Sequence, residues 1–163
     1  MHYLFLMSKA HTAPASVSDL KSHIGFWMRL VSNHVSHAFA RKLLKSGVTV
    51  AEWVVLREMY GRNDMSPSKV ADFTGMTRGA ASKLLDRLFE KKLILREERN
   101  DDRRFQDICL TAAGDRLVPA LAQLADRNDL EFFSPLTAGE RETLLAILKK
   151  IVRAHGLHKL PTQ

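Results

Sequence analysis

The sequence predicts a mainly α-helical chain carrying one small β-hairpin. Three observations support this. Apolar residues recur at helical spacing along most of the 163 residues. Helix starts are marked repeatedly: Thr49-Val-Ala-Glu52 and Thr137-Ala-Gly-Glu140 are capping boxes, and Ser66-Pro67 places an N-cap serine before a proline at the first helical position. Strand-like runs occur in one place, LIL (Leu93–Leu95) and ICL (Ile108–Leu110), flanking the charged stretch RNDDRRFQD, Arg99–Asp107.

Residues 18–45 read as a long helix, with Leu20, Ile24, Trp27, Met28, Val31, Val35, Ala38, Phe39 and Leu43 in helical register and Gly47 as its stop. The Thr49 box opens a second helix to about Tyr60, with Trp53, Leu56 and Met59 or Tyr60 inward. Ser66 starts a short third helix whose apolar face is Val70, Ala71 and Phe73, and Gly75 stops it. Thr77 caps a fourth helix to about Lys92. LILREER and DICL then form the hairpin. Thr111 begins a long helix with Leu117, Leu121, Leu124, Asn128 and Phe132 in register, and Pro119 within it predicts a kink. The Thr137 box opens a last helix, with Leu144, Leu145, Leu148, Ile151 and Val152 inward. Two short helices across a tight Gly-containing turn make a helix-turn-helix, and a charged hairpin directly after the second makes a wing.

The bulk numbers narrow the partners. The chain suits one domain or two small packed parts. Lys and Arg total 25 against 18 Asp and Glu, a formal charge of +7 with a pI near 9.8. Such a balance favours a polyanion, nucleic acid or an anionic surface. A single cysteine, Cys109, excludes an intrachain disulfide and fits a reducing cytoplasm. No apolar run reaches the roughly 20 residues of a membrane helix, and MHYLFLMSKAHTAPAS lacks the basic start of a signal peptide. Residues 1–17 are expected to be a flexible arm, with Met7 an alternative start that would leave residues 1–6 outside the native protein.

The helix from Thr77 carries the chemistry. Ala81, Leu84, Leu85 and Leu88 line one face; Arg78, Gly79, Ser82, Lys83, Asp86 and Arg87 line the other. Small residues and cations in the first turns permit close approach to base edges in a major groove. Ala80, not Glu, stands three residues after Thr77, so the N-terminal amides are expected to remain open to a phosphate. An ordinary amphipathic helix has the same pattern, and the wing supplies the further signal. A hairpin after a groove-reading helix reaches the flanking minor groove, whose narrow, negative form suits arginine. Arg103 and Arg104 stand at its tip, and Asp102 is placed to orient a guanidinium. The phosphate-loop pattern GxxxxGK[ST] is absent, and neither a nucleophile–base pair nor a metal cluster stands out, so no catalysis and no cofactor are expected.

The stretch DDRRFQDICLTAAG, Asp101–Gly114, resembles the wing of the MarR (multiple antibiotic resistance regulator) family, which reads D-x-R, a short strand, then L-T-x-x-G. Asp102, Arg104, Leu110, Thr111 and Gly114 stand at those positions. GVTVAEWVVLREM is similar to the family's second helix, and TRGAASKLLDRLFEKKLI to its recognition helix. The likeness spans about residues 20–155. It implies a winged helix-turn-helix regulator, a homodimer on a pseudo-palindromic operator, repression more often than activation, and release by a small aromatic or phenolic ligand. Its division of the chain is a dimerisation helix at 18–46, a DNA-binding domain at 47–110, dimerisation helices at 111–156 and a tail at 157–163.

The expected DNA contacts are therefore Ser66, Thr77, Arg78, Gly79, Ala80, Ser82, Lys83, Arg87, Asp102, Arg103 and Arg104. Thr77 and Arg87 would hold phosphates. A ligand pocket between the dimer helices and the winged part would draw on His23, Trp27, Leu30 and His34. Without a third ligand, His34 and His37 are expected to face solvent or an interface rather than a metal. Cys109 is expected to point away from the wing's apolar side, as an incidental thiol. The rival readings are a non-specific architectural DNA binder and an enzyme whose site carries no visible signature.

Overall fold

The computed structural model describes residues 17–62, 65–98, 106–160 and 162. After a 3-10 turn at Leu20–Ser22 come α1 (Ile24–Leu44), α2 (Val50–Met59), α3 (Pro67–Thr74), α4 (Arg78–Glu90), β1 (Ile94–Glu98), β2 (Gln106–Leu110), α5 (Ala112–Phe132) and α6 (Ala138–Ala154). This is the order that the sequence predicts. The strands are antiparallel, with Ile94 opposite Leu110 and Glu98 opposite Gln106. Met65 bridges the other edge of β2, its carbonyl accepting from the Ile108 amide at 2.8 Å. Among the described residues no helix is long and apolar enough to cross a membrane.

The core lies between α2, α3, α4, the hairpin and the first half of α5. Val55, Leu56, Met59, Val70, Ala81, Leu84, Leu85, Leu88, Ile94, Ile108, Val118 and Leu121 are buried, joined by Leu43 from the end of α1. The four residues predicted for the inner face of α4 are all among them. Both capping boxes form, Thr49 with Glu52 and Thr137 with Glu140. Hydrogen bonds from the Thr137 amide and hydroxyl hold the Glu140 carboxyl below its usual range.

Five details depart from the sequence pattern. The first helix starts at Ile24 rather than near residue 18, because Asp19 caps a separate 3-10 turn and leaves His23 extended. The inner face of α2 is Glu52, Val55, Leu56 and Met59; Trp53 is half-buried, edge-on to Phe39 at 6.3 Å, and Tyr60 is exposed. Cys109 is buried rather than turned outward, since β2 lies against both α2 and α5 and both its faces are covered. The last helix has no buried residue. Leu144, Leu145, Leu148, Ile151 and Val152 are each at least 36% exposed, because no other described residue covers them. At Pro119, α5 passes without interruption.

The Leu110-Thr111-x-x-Gly114 segment docks α5 onto the turn between α4 and β1. The Thr111 amide donates to the Leu93 carbonyl at 3.0 Å, its hydroxyl donates to Lys92 O at 2.8 Å, and its Oγ1 accepts from the Gly114 amide at 3.1 Å. A Cβ on Gly114 would stand 2.2 Å from the Leu93 carbonyl oxygen, which belongs to backbone and cannot swing aside. Gly114→Ala should therefore lower stability by about 1–3 kcal/mol in urea unfolding, while Ala113→Ser, at an exposed neighbour, should stay within about 0.5 kcal/mol.

Candidate nucleic-acid interface

The helix-turn-helix is built by caps and one left-handed glycine. Ser66 Oγ accepts from the Lys69 amide at 3.3 Å and starts α3. Gly75, at φ +70°, ends it in a conformation that costs L side chains energy. Thr74 is buried and donates its hydroxyl to the Val70 carbonyl at 2.6 Å. Two residues after the glycine, Thr77 Oγ1 accepts from the Ala80 amide at 3.2 Å and starts α4. One amide of the first turn is thus taken by the cap, which narrows the expectation that all stay open. The Thr77 hydroxyl hydrogen is still free to donate to an anion.

Burying Ala81, Leu84, Leu85 and Leu88 turns the other side of α4 outward. Thr77, Arg78, Gly79, Ala80, Ser82, Lys83 and Arg87 are all exposed. Among the described residues, neither Arg78 nor Lys83 has a carboxylate within 4.0 Å. Asp86, the acid of this face, lies 3.6 Å from Arg96 of β1, and the Arg96 guanidinium sits 4.6 Å from the Phe89 ring centroid. Asp102, Arg103 and Arg104 lie outside the described residues; the hairpin stem that carries them leaves directly from the end of α4.

Glu52 is the residue whose importance the sequence does not reveal. Besides capping α2, its fully buried carboxylate accepts from Lys91 Nζ at 2.8 and 2.7 Å, and Arg87 Nε lies 3.7 Å away. Lys91 also donates to the Gly47 carbonyl at 2.7 Å. One carboxylate therefore joins the start of α2 to the end of α4. Burial alone would raise its pKa, but the Lys91 and Thr49 hydrogen bonds outweigh that and hold it below the usual 4.5. Arg87, expected on phosphates, shares itself with this carboxylate. The i,i+4 pair Arg87 and Lys91 is visible in the sequence; the burial of Glu52 is not. Sequence reasoning likewise misses Arg96.

Residues 46–104, from the end of α1 through the helix-turn-helix to the wing, match the profile of the MarR family. A Thauera aromatica protein, named as a putative transcriptional regulatory protein for the hcr operon, is 28% identical over 136 residues, covering 83% of this chain and 82% of its own. A mutant MarR from E. coli, solved with operator DNA, is 27% identical with a TM-score of 0.71, covering 83% of this chain and 99% of that one. The S. aureus MepR–DNA complex matches at 25% identity and a TM-score of 0.70, over 81% and 98%.

The four residues expected around a ligand lie at the N-cap of α1 (His23) and along it (Trp27, Leu30 and His34), and all are exposed. The Trp27 indole donates to the Lys21 carbonyl at 2.8 Å, tying down the 3-10 turn, and His34 Nδ1 lies 2.8 Å from the Leu30 carbonyl. His23, at the N-cap, and Trp27, Leu30 and His34 along α1 follow one stripe that no other described residue encloses. A cavity of about 520 Å³ lies elsewhere, between α1 and α5, and is lined by Ala38, Arg41, Lys42, Lys45, Asn128, Glu131 and Phe132.

Lys91→Met would leave the Glu52 carboxylate buried without its main partner, and should cost about 2 kcal/mol in denaturant unfolding. The depressed pKa of Glu52 fixes the direction of its pH dependence. Its contribution is present above the ordinary value of 4.5 and is lost as pH falls through the lower folded value. The stability gap between the native chain and Glu52→Gln should therefore narrow as unfolding is measured at successively lower pH below 4.5.

Proposed function

We propose that the chain is a sequence-specific, double-stranded-DNA-binding transcriptional regulator that acts as a homodimer on a pseudo-palindromic operator, as a repressor released by a small aromatic or phenolic ligand. The observation that carries this is the open face of α4. Small residues and cations stand there on a helix capped by Thr77 and tied at its far end to α2 through Lys91 and Glu52, and among the described residues Arg78 and Lys83 meet no carboxylate. Arg78, Gly79, Ala80, Ser82 and Lys83 read or abut bases. Ser66, Thr77 and Arg87 hold phosphates, with Arg87 moving between the backbone and Glu52. Arg103 and Arg104 enter the minor groove, with Asp102 orienting Arg104. The chain acts by binding and not by catalysis, on DNA in the cytoplasm.

The dimer reading rests on uncovered apolar surface. Ile24, Trp27, Met28, Leu30 and Val31 of α1, with Leu144, Leu145, Ile147, Leu148, Ile151 and Val152 of α6, are all more than a third exposed. A lone soluble chain does not keep two such helices bare. Residues 18–46 and 111–156 supply the dimer contacts, and 47–110 the DNA contacts. A second copy over α1 would enclose the stripe of His23, Trp27, Leu30 and His34, making the pocket that one chain lacks. A ligand bound about tenfold better by a lobe spacing that misfits the operator costs about 1.4 kcal/mol of DNA affinity.

Selection from random duplex DNA at about 0.15 M salt, where non-specific binding is weak, should enrich an inverted repeat with half-sites about one turn apart. DNA without a shared motif would instead favour an architectural binder. On the selected site Arg104→Ala should weaken binding by about 1–3 kcal/mol with the fold intact, and unchanged affinity would remove the wing from the interface. Replacing Leu145 and Ile147 together by Glu should shift the chain to monomer mass in sedimentation equilibrium.

A further inference from the structure

The tail after α6 returns to the helix-turn-helix. Gly156, at φ +58°, ends α6 in a left-handed turn, with the Leu157 amide donating to the Val152 carbonyl at 3.0 Å and the Gly156 amide to Arg153 O at 3.3 Å. The reversed chain reaches α3, where the Leu160 amide donates to the Phe73 carbonyl at 2.8 Å. Leu160 is half-buried there. Next to it the Lys159 side chain lies across Gly75: a Cβ on that glycine would stand 2.6 Å from Lys159 Cδ and 3.4 Å from Cε. The absence of a side chain at the turn thus makes the bed on which the lysine stem rests.

We propose that Lys159 is a further DNA-backbone contact, delivered by the C-terminal tail to the turn before the recognition helix. This rests on the DNA-binding reading above. The stem is fixed over Gly75, two residues before the N-cap Thr77, so its ammonium is carried at the end of α4 that enters a groove. Lys159 is exposed, and among the described residues it has no carboxylate within 4.0 Å. Along the chain from that turn the exposed polar residues are Asp72 before it and Thr77 and Arg78 after it, so the ammonium and Arg78 supply the positive charge at this end of α4. A compact ammonium suits a phosphate oxygen rather than a base edge. The contact therefore adds affinity equally across sequences and leaves specificity with α4.

The test is DNA affinity of the full chain across a salt series, on the selected operator and on a scrambled duplex. Removing one phosphate contact lowers the slope of log affinity against log salt by about 0.9, so Lys159→Gln should lower it by about two for a dimer. Affinity should fall by the same factor on both duplexes, with Lys159→Arg restoring the slope. A Lys159→Gln slope equal to the native one overturns the proposal, as does a fall confined to the operator. A native chain that prefers no DNA sequence and shows no salt slope overturns the regulator reading itself.

Discussion

The winged part depends on one buried carboxylate. Glu52 begins as a local device, the third helical residue that reaches back to the Thr49 amide. Its position on the inner face of α2 then takes it out of water, and a charge there must be compensated. Lys91 supplies that compensation from just beyond α4, and at the same time binds the Gly47 carbonyl at the loop before α2. Three segments distant in sequence thus meet at one point. A buried pair of this kind contributes little net stability compared with apolar packing, but it tolerates few alternative arrangements. What it fixes is the orientation of α4, and with it the face turned outward.

The second constraint acts at the other side of the same helix end. The chain leaves α4, turns through Lys92 at φ +56°, and enters the hairpin. Thr111 and Gly114 hold the start of α5 against that turn, close enough that no side chain fits at 114. The hairpin stem, the end of α4 and the root of α5 therefore form one rigid junction. The long α5 is joined to the end of α4 by backbone hydrogen bonds rather than by a flexible linker. The tail adds a third tie, from the end of α6 to the turn between α3 and α4. The start of α5 and the tail after α6 are thus tied to the two ends of the α4 region at separate places.

Much of this is legible in the sequence where the cause is local. The order of elements, both capping boxes, the Ser66 and Thr77 starts and the buried face of α4 follow from side-chain periodicity and from hydrogen bonds that span three or four residues. Where the cause lies in distant segments, sequence reasoning falls short. Strict alternation places Cys109 outward, but β2 is covered on both faces, and alternation describes only strands with one wet side. The apolar stripe of α6 reads as core in sequence, since periodicity gives a helix its apolar side without giving what lies against it. Arg87 reads as a phosphate contact from its position on α4, but Glu52 brings it a partner from another helix. Arg96 and Lys159 carry no sequence signal, because each gains its position only from a neighbour that folding brings to it.

The sequence by itself determined the helices, their caps, the hairpin and the residue types presented by α4. Those follow from backbone geometry and short-range hydrogen bonding, which nearby residues control. Only the tertiary structure decided which charged groups pair and which remain available, how α5 is docked, and where the tail ends. Burial and pairing of charge depend on the dielectric surroundings and on atoms brought together from distant positions, and packing alone creates both.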